Sequence, residues 1–502
     1  MRKITILLSM CLSLVMLLSL FVSCGADPGT RESESAEGQS ATSTETEQEL
    51  DTRIQPDLPE RQFNGDEIHC LHWTLGEGGP GENGWIPWEE IAMDTMTGDV
   101  VGDAVYERNH YVEEKYKVLI TTEYALADTE LPTKVQLAFN SGDDDFAFIV
   151  QRSGNISSLW TNEYFYNLRG DDTPYLDLEK PWWNQDSLKA FTFGNVTQFA
   201  SSELLVLDKS ETGVVFFSTV LRDDLKLDNF YDLVTDGKWT WEALIRNAEI
   251  CENDLDGDLI MTAADQYGTC GNRTVGSDLY VGAGFKFADI NQNGHLFTNV
   301  GSEDSVDIMQ EIHETVIYES FHAHSDRIPD FSLTRKFMDN QIGFLFYSVK
   351  LANTLRNMET NYGILPIPKY DEYQPRYYDL ISTHGDSLLA IPVSNQTPEI
   401  TSFVLEALTA ESYYTVYPAF FDVVMYGRCT REPESRDMLD IIFRSRTYDI
   451  GLIHGLGGYA GEYEQYAQLH YGDVGFTSLY WKYQDIIDKA VTRINELIDE
   501  WN

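Results

Sequence analysis

Basic residues are scarce in this sequence: 35 Lys and Arg stand against 82 Asp and Glu, a formal charge of −47 over 502 residues. Nucleic acid and anionic lipid are held through clustered Lys and Arg, so this balance excludes both as partners bound by charge. Cysteine is rare as well, six in the whole chain. Beyond Cys24, the irregular spacing of Cys70, Cys251, Cys270 and Cys429 signals neither a disulfide framework nor a zinc site, and leaves a Cys251 to Cys270 bridge open. There is no Gly-x-Ser-x-Gly elbow and no His-Glu-x-x-His pair, and neither Cys270 nor Cys429 stands in a nucleophile's context. A glycosidase is not excluded by this, because two carboxylates suffice for its chemistry. Gly76–Gly81 is glycine-rich but holds acid and no Lys, and Gly455–Ala460 has no preceding strand or βαβ unit, so neither cradles a phosphate. Both read as loops that bring Trp85, Trp88 and Tyr459 near a cleft.

Long apolar runs are confined to the N-terminus, and no repeat of solenoid period occurs. Arg2-Lys3 is followed by the apolar stretch Ile4 to Val22, which ends in Phe21-Val22-Ser23 and Cys24. This is the pattern of a bacterial lipoprotein signal over residues 1–23, with Cys24 as the lipidated new N-terminus. An ordinary secretory signal and a single membrane anchor are the alternatives, and all three export the remainder. Residues 24–60 are rich in Ser, Thr, Glu and Gln and cannot bury enough apolar surface to offset ordering entropy. They read as a tether that holds the body at the cell surface, on the outer face of the cytoplasmic membrane.

The remaining chain, about 440 residues, exceeds the roughly 250 to 300 that one core supports, so two lobes are expected. Its first part alternates. Asp66–Trp73 reads as a strand, Val101–Tyr116 as a helix capped by Asp99, Val118–Thr122 as a strand, Pro132–Asn140 as a helix and Phe146–Val150 as a strand. Such alternation predicts an α/β protein with a parallel sheet and a ligand site beyond the strands' carboxyl ends. A strand at Val214–Phe217 opens a new region. Helices follow at Glu242–Cys251, Ser305–Tyr318 and Pro398–Tyr414, the last capped by Thr397, and a terminal helix carries Ile487, Val491, Ile494, Ile498 and Trp501 on one face. Aromatic residues make up 13% of the chain, many of them in polar, glycine-containing stretches where a core would not explain them. Neutral polyhydroxylated ligands suit such a surface, since sugar rings stack on aromatic faces and acids accept hydroxyl protons.

Asp254, Asp256, Asp258 and Asp265 occupy positions 1, 3, 5 and 12 of a calcium loop, with the Ile260 carbonyl at position 7. Leu259 stands where Gly usually makes the turn and Asp265 where Glu is usual, so a structural Ca2+ is weighed against a solvated acidic turn. Asn293-Gly294 reads as a hairpin turn.

Several stretches together resemble the extracellular solute-binding proteins (family 1) of carbohydrate ABC transporters, lipoprotein type. Gly102–Tyr116 resembles their first helix. Pro181-Trp-Trp-Asn184, Gly237-Lys-Trp-Thr240, Asp254–Asp258 with Asp265-Gln-Tyr-Gly268, Tyr362–Lys369 and Glu434–Leu439 resemble later landmarks, spread from about Asn64 to about Gly451. The resemblance implies a two-lobed periplasmic-binding-protein-like fold with discontinuous lobes, 61–205 with 329–370 and 206–328 with 371–502, crossing near residues 206, 329 and 371. The ligand would lie between lobes that close about a hinge. The resemblance places pocket residues at Trp73 and Trp85 after the first strand, and at Gln151, Arg152 and Trp160 after the third. It adds Glu211 at the first crossing, Tyr347 as an aromatic platform, and Tyr459. Trp182, Trp183, Trp239 and Trp241 fall in landmarks and are expected to be structural. The implied protein is a monomer that catalyses nothing, needs no cofactor, binds a carbohydrate and hands it to permease subunits in the membrane. A surface glycoside hydrolase and a non-transport glycan adhesin are the competing readings.

Overall fold

The structure, a computed structural model, describes residues 53–74, 88–127, 129–317, 319–325, 328, 331–469 and 475–501. Cys24, the leader, most of the tether and Trp85 lie outside the described residues.

Three parallel strands start the first sheet: β1 (Asp66–Trp73), β2 (Val118–Ala125) and β3 (Phe148–Gln151). β1 is central, in register with β2 from Asp66↔Val118 to Trp73↔Ala125 and with β3 from Cys70↔Phe148. Helix α1 (Val100–Tyr116) connects β1 to β2. The Asp99 side chain accepts the Val101 and Gly102 N–H groups at its start, and Val101, Val105 and Val112 are buried. Helix α2 (Glu130–Ser141) connects β2 to β3, and α3 (Ser153–Trp160) follows β3. The chain then leaves through the short helix α4 (Leu207–Ser210).

The second sheet holds β4 (Gly213–Ser218), β5 (Tyr267–Gly271), β6 (His322–His324), β7 (Ile342–Ser348) and β8 (Tyr362–Leu365), in the order β6-β5-β7-β4-β8. β7 runs parallel to β5 and antiparallel to β4, pairing Tyr347 with Val214 and Ser348 with Gly213. Two helices matter below: α5 (Trp241–Cys251), capped by Thr240, and α6 (Val275–Gly282). β9 (Leu388–Ala390) returns to the first sheet, antiparallel to β3, and α7 (Pro398–Tyr414) packs on α1.

The two sheets divide the chain differently from the expected partition. Of the expected segment 329–370, the strands β7 and β8 do not join the first lobe, because both pair with β4. Part of 371–502 belongs with the first sheet, through β9 and α7. Long-range antiparallel pairing decides this, and no local pattern encodes it. Two local expectations also change. The Ser305–Tyr318 helix is α-helical only over Glu303–Ile312 and continues as a π-helix over His313–Ile317. Thr397 gives α7 no side-chain cap, its hydroxyl bonding Asn395 Oδ1 at 3.3 Å. Asn293-Gly294 does lie in a hairpin, between Asp289–Ile290 and Leu296–Phe297. Cys70, Cys251, Cys270 and Cys429 are buried thiols, so no Cys251 to Cys270 bridge forms.

The tryptophan landmarks are packing devices. Trp182 and Trp183 donate their indole N–H groups to the two oxygens of buried Glu406 on α7, each at 2.9 Å. Trp239 donates to the Pro366 carbonyl at 2.9 Å, and Trp241 N–H bonds the Lys369 carbonyl, so two landmarks clamp each other. Replacing Glu406 by Ala strands two buried indole donors, each costing about 1–3 kcal/mol. The Glu406→Ala variant should therefore lose roughly 2–5 kcal/mol, read as a lower urea midpoint at unchanged slope.

Candidate ligand-binding site

The crossing between sheets is fixed first by Glu90, whose side chain is fully buried. Its Oε1 accepts Val206 N–H at 2.6 Å and Leu207 N–H at 2.7 Å, at the start of α4. Its Oε2 accepts Ser387 Oγ–H at 3.0 Å and faces His72 Nε2 at 3.0 Å. Burial pushes the His72 pKa down, but the bond and charge of Glu90 outweigh it and leave it raised.

Beyond α4 the carboxyl ends of strands from both sheets meet. Arg152 directly follows β3, Arg273 lies two residues after β5, and Lys350 two residues after β7. The β4–β7 register brings Glu211, just ahead of β4, beside Lys350, and the two form a buried ion pair. The segment His384–Asp386, which leads into β9, runs through this meeting point. Arg152 Nη1 donates to the His384 carbonyl at 3.4 Å, and His384 Nε2 stands 3.9 Å from Glu464 Oε2. Gly385 is obligatory for space: a Cβ there would lie 2.2 Å from Glu211 Oε1 and 3.3 Å from Lys350 Nζ. Asp386 accepts the Ser153 N–H at 3.0 Å and its hydroxyl at 2.8 Å. Burial, then the charges of Arg273, Arg152 and Lys350, push the His384 pKa down to about 4.

Of the residues expected in a pocket, the structure brings Gln151, Arg152, Glu211 and Tyr347 to these strand ends. Gln151 Oε1 accepts Arg152 N–H at 2.9 Å, and its buried Nε2 has no partner among the described residues. Glu211 is committed to Lys350 rather than solvent, and Tyr347 is partly exposed. Three others are packing residues. Trp73 is buried in the first-lobe core and donates to Ser387 Oγ at 3.2 Å. Trp160 has no exposed face, stacking on Phe193 with ring centroids 4.8 Å apart. Tyr459 is equally enclosed, its hydroxyl against Met309 Sδ at 3.5 Å. Lys350, His384 and Arg273 were missed. A cation two residues past a strand end is the local signal that could have marked Arg273 and Lys350.

The acidic loop lies apart from this cluster in sequence. Ligand oxygens of Asp254, Asp256 and Asp265 fall within 4.8 Å of one another. Asp258 is outside that group, its carboxylate accepting Ile260 N–H at 2.8 Å. Leu259 adopts φ 66°, the left-handed conformation that glycine normally supplies at this position. An all-oxygen donor set of this kind fits a hard cation such as Ca2+.

No protein-family model matches the chain, and no curated protein does. Solved structures do. An ABC substrate-binding protein from Listeria monocytogenes in complex with cycloalternan matches with a TM-score of 0.53 at 12% identity, over 87% of this chain and 99% of that one. The maltose/maltodextrin-binding domain MalE from Bdellovibrio bacteriovorus, bound to maltotriose, gives 0.51 at 12% identity over 85% and 100%. UgpB from Mycobacterium tuberculosis, in complex with glycerophosphocholine, gives 0.53 at 13% identity over 78% and 95%. This chain has their fold. It is two-lobed, periplasmic-binding-protein-like, with open sheets. No helix among the described residues is long and apolar enough to cross a membrane.

The site is built from a buried ion pair, two arginines, a partly exposed tyrosine and carboxyl groups that burial drives toward protonation. Asp278 is pushed up to about 8, and Asp386 and Glu464 to about 7, with burial the largest cause in each. Asp379 and Glu406, elsewhere, also reach about 7 through burial. Between about pH 6.5 and 8 the unfolded chain has lost these protons while the folded chain keeps part of them, so stability falls as pH rises through this window. His384 and His454, both lowered by burial, act in the opposite sense only below about 6.5. The urea midpoint should therefore be lower at pH 8 than at pH 6.5, with protons released on unfolding.

Proposed function

We propose that the chain is a lipid-anchored extracellular receptor that captures a carbohydrate of oligosaccharide size by lobe closure and delivers it to the permease of an ABC transporter. The observation that carries this reading is the convergence of strand carboxyl ends from both sheets on one polar cluster, Arg152, Glu211, Lys350 and His384, at the crossing. Ligands of open α/β sheets bind beyond such ends, and a hinge there lets two lobes close on them. The sugar-bound neighbours with the same fold support the ligand class. In this reading Cys24 carries the lipid, residues 24–60 are the tether, the receptor works as a monomer without catalysis, and a Ca2+ held by Asp254, Asp256 and Asp265 braces the acidic loop.

Native mass spectra of the full chain mixed with plant, host and bacterial oligosaccharides should show one intact sugar per chain. Shortened products would instead establish a hydrolase, and a ligand-independent radius in small-angle scattering would favour an adhesin that does not close. For the cation, millimolar Ca2+ should raise the thermal midpoint over a chelated sample, by an amount equivalent to about 2–3 kcal/mol if the site is near-saturated at a hundredfold excess over Kd. Asp265→Asn should abolish that gain.

A further inference from the structure

In a chain with 82 acidic and 35 basic side chains, three cations stand at neighbouring strand ends, two of them against the dipeptide His384-Gly385. Arg152 Nη1 reaches the His384 carbonyl at 3.4 Å, and Lys350 Nζ lies 3.3 Å from where a Gly385 Cβ would be. Arg273 joins from β5, whose Cys270 pairs with Leu345 of β7, so the strand end that leads to Arg273 lies beside the one that leads to Lys350. The acids nearby already have partners within the protein. Glu211 pairs with Lys350, Asp386 holds Ser153, Asp278 accepts the Thr274 hydroxyl at 3.0 Å, and Glu464 accepts the Ser277 hydroxyl at 3.3 Å. Arg273 is exposed and enters no ion pair among the described residues. Helix α6 begins two residues after it, and α3 begins directly after Arg152, so both add the positive end of a helix to the same region. The buried Gln151 Nε2 beside Arg152, without a partner among the described residues, is a further N–H donor. Cations, helix starts and a spare donor together select for an acceptor that carries negative charge.

We infer that the site takes a sugar bearing an oxyanion, a carboxylate or a phosphate, and that Arg273 is the specificity-determining residue that recognises it while Arg152 adds to the local positive charge. A guanidinium offers a planar fork of donors that matches either oxyanion in bidentate geometry. This rests on the carbohydrate reading above and narrows its ligand from a neutral sugar to an acidic one.

The test is calorimetric titration of the full chain and its Arg273→Gln variant with trigalacturonate, a hexose phosphate and neutral maltotriose. At low salt an anionic sugar should bind about tenfold or more tightly than the neutral one, and the preference should shrink at high salt. Arg273→Gln should remove most of that preference while leaving the thermal midpoint unchanged. Whether trigalacturonate or the hexose phosphate binds identifies the oxyanion. Equal or tighter binding of maltotriose, or a preference that survives in Arg273→Gln, overturns the inference and leaves the carbohydrate reading standing. Binding of none of the three sugars overturns both.

Discussion

A buried carboxylate cannot be left with unfilled lone pairs, and the architecture at the crossing is organised around that constraint at Glu90. Its two oxygens take the first N–H groups of α4, the Ser387 hydroxyl and the His72 ring, while its own carbonyl accepts from buried Arg108 at 3.0 Å. One side chain therefore ties β1, α1, the first crossing and the approach to β9 to a single point. Arg108 also donates to the Ile91 carbonyl at 2.7 Å, which holds the loop that carries Glu90. Strand ends can meet at a defined spacing only because these segments are fixed together.

The next layer outward is also ionic. Asp208 on α4 accepts from Ser201 at 2.8 Å, Tyr448 at 2.9 Å and Arg446 at 3.0 Å, and pairs with Lys209 at 3.2 Å. Burial alone would raise its pKa, but Lys209 and Arg446 outweigh burial and hold it below the usual carboxylate range. Arg446 begins the two-residue ladder that pairs with Asp379 and Leu380, so α4 is locked to the segment by which the chain returns toward β9. Buried pairs of this kind add little net stability over apolar packing, but removing one partner is costly. Their consequence is positional: the crossings are registered by charge.

Much of the local structure was legible in the sequence, for reasons that are themselves local. Asp99 caps α1 because an Asp before an apolar period of 3.6 has the backbone N–H groups of its own helix within reach. β1 was legible because its apolar residues alternate, and β3 because four of its residues form a short buried run. The partition between sheets was not, since β4–β7 pairing joins residues more than a hundred positions apart. The site was half legible. Gln151 and Arg152 follow from the rule that ligands sit past strand ends, whereas His384 reaches the cluster from an irregular segment with no periodic signal. The aromatic expectation failed at Trp160, Trp73 and Tyr459 because sequence shows a ring's presence and not which side of it faces the core. Trp182 and Trp183 show the other outcome, with both indoles committed to one glutamate.

The scarcity of cations then becomes informative about place. Arg108, Lys209 and Arg446 are buried in the joint between sheets, where each satisfies a carboxylate or carbonyl that would otherwise be stranded. Arg152, Lys350 and Arg273 lie one step further out, at the strand ends that the joint aligns. Over the rest of an acidic surface, like charges repel and keep the molecule soluble, but they also lower the local density of any anion. Six of the 35 basic side chains thus stand at the crossing and its rim. An acidic ligand would meet the net repulsion of an acidic chain and find cations grouped at this place, so the overall charge that excludes nucleic acid also sharpens where a small anion can settle.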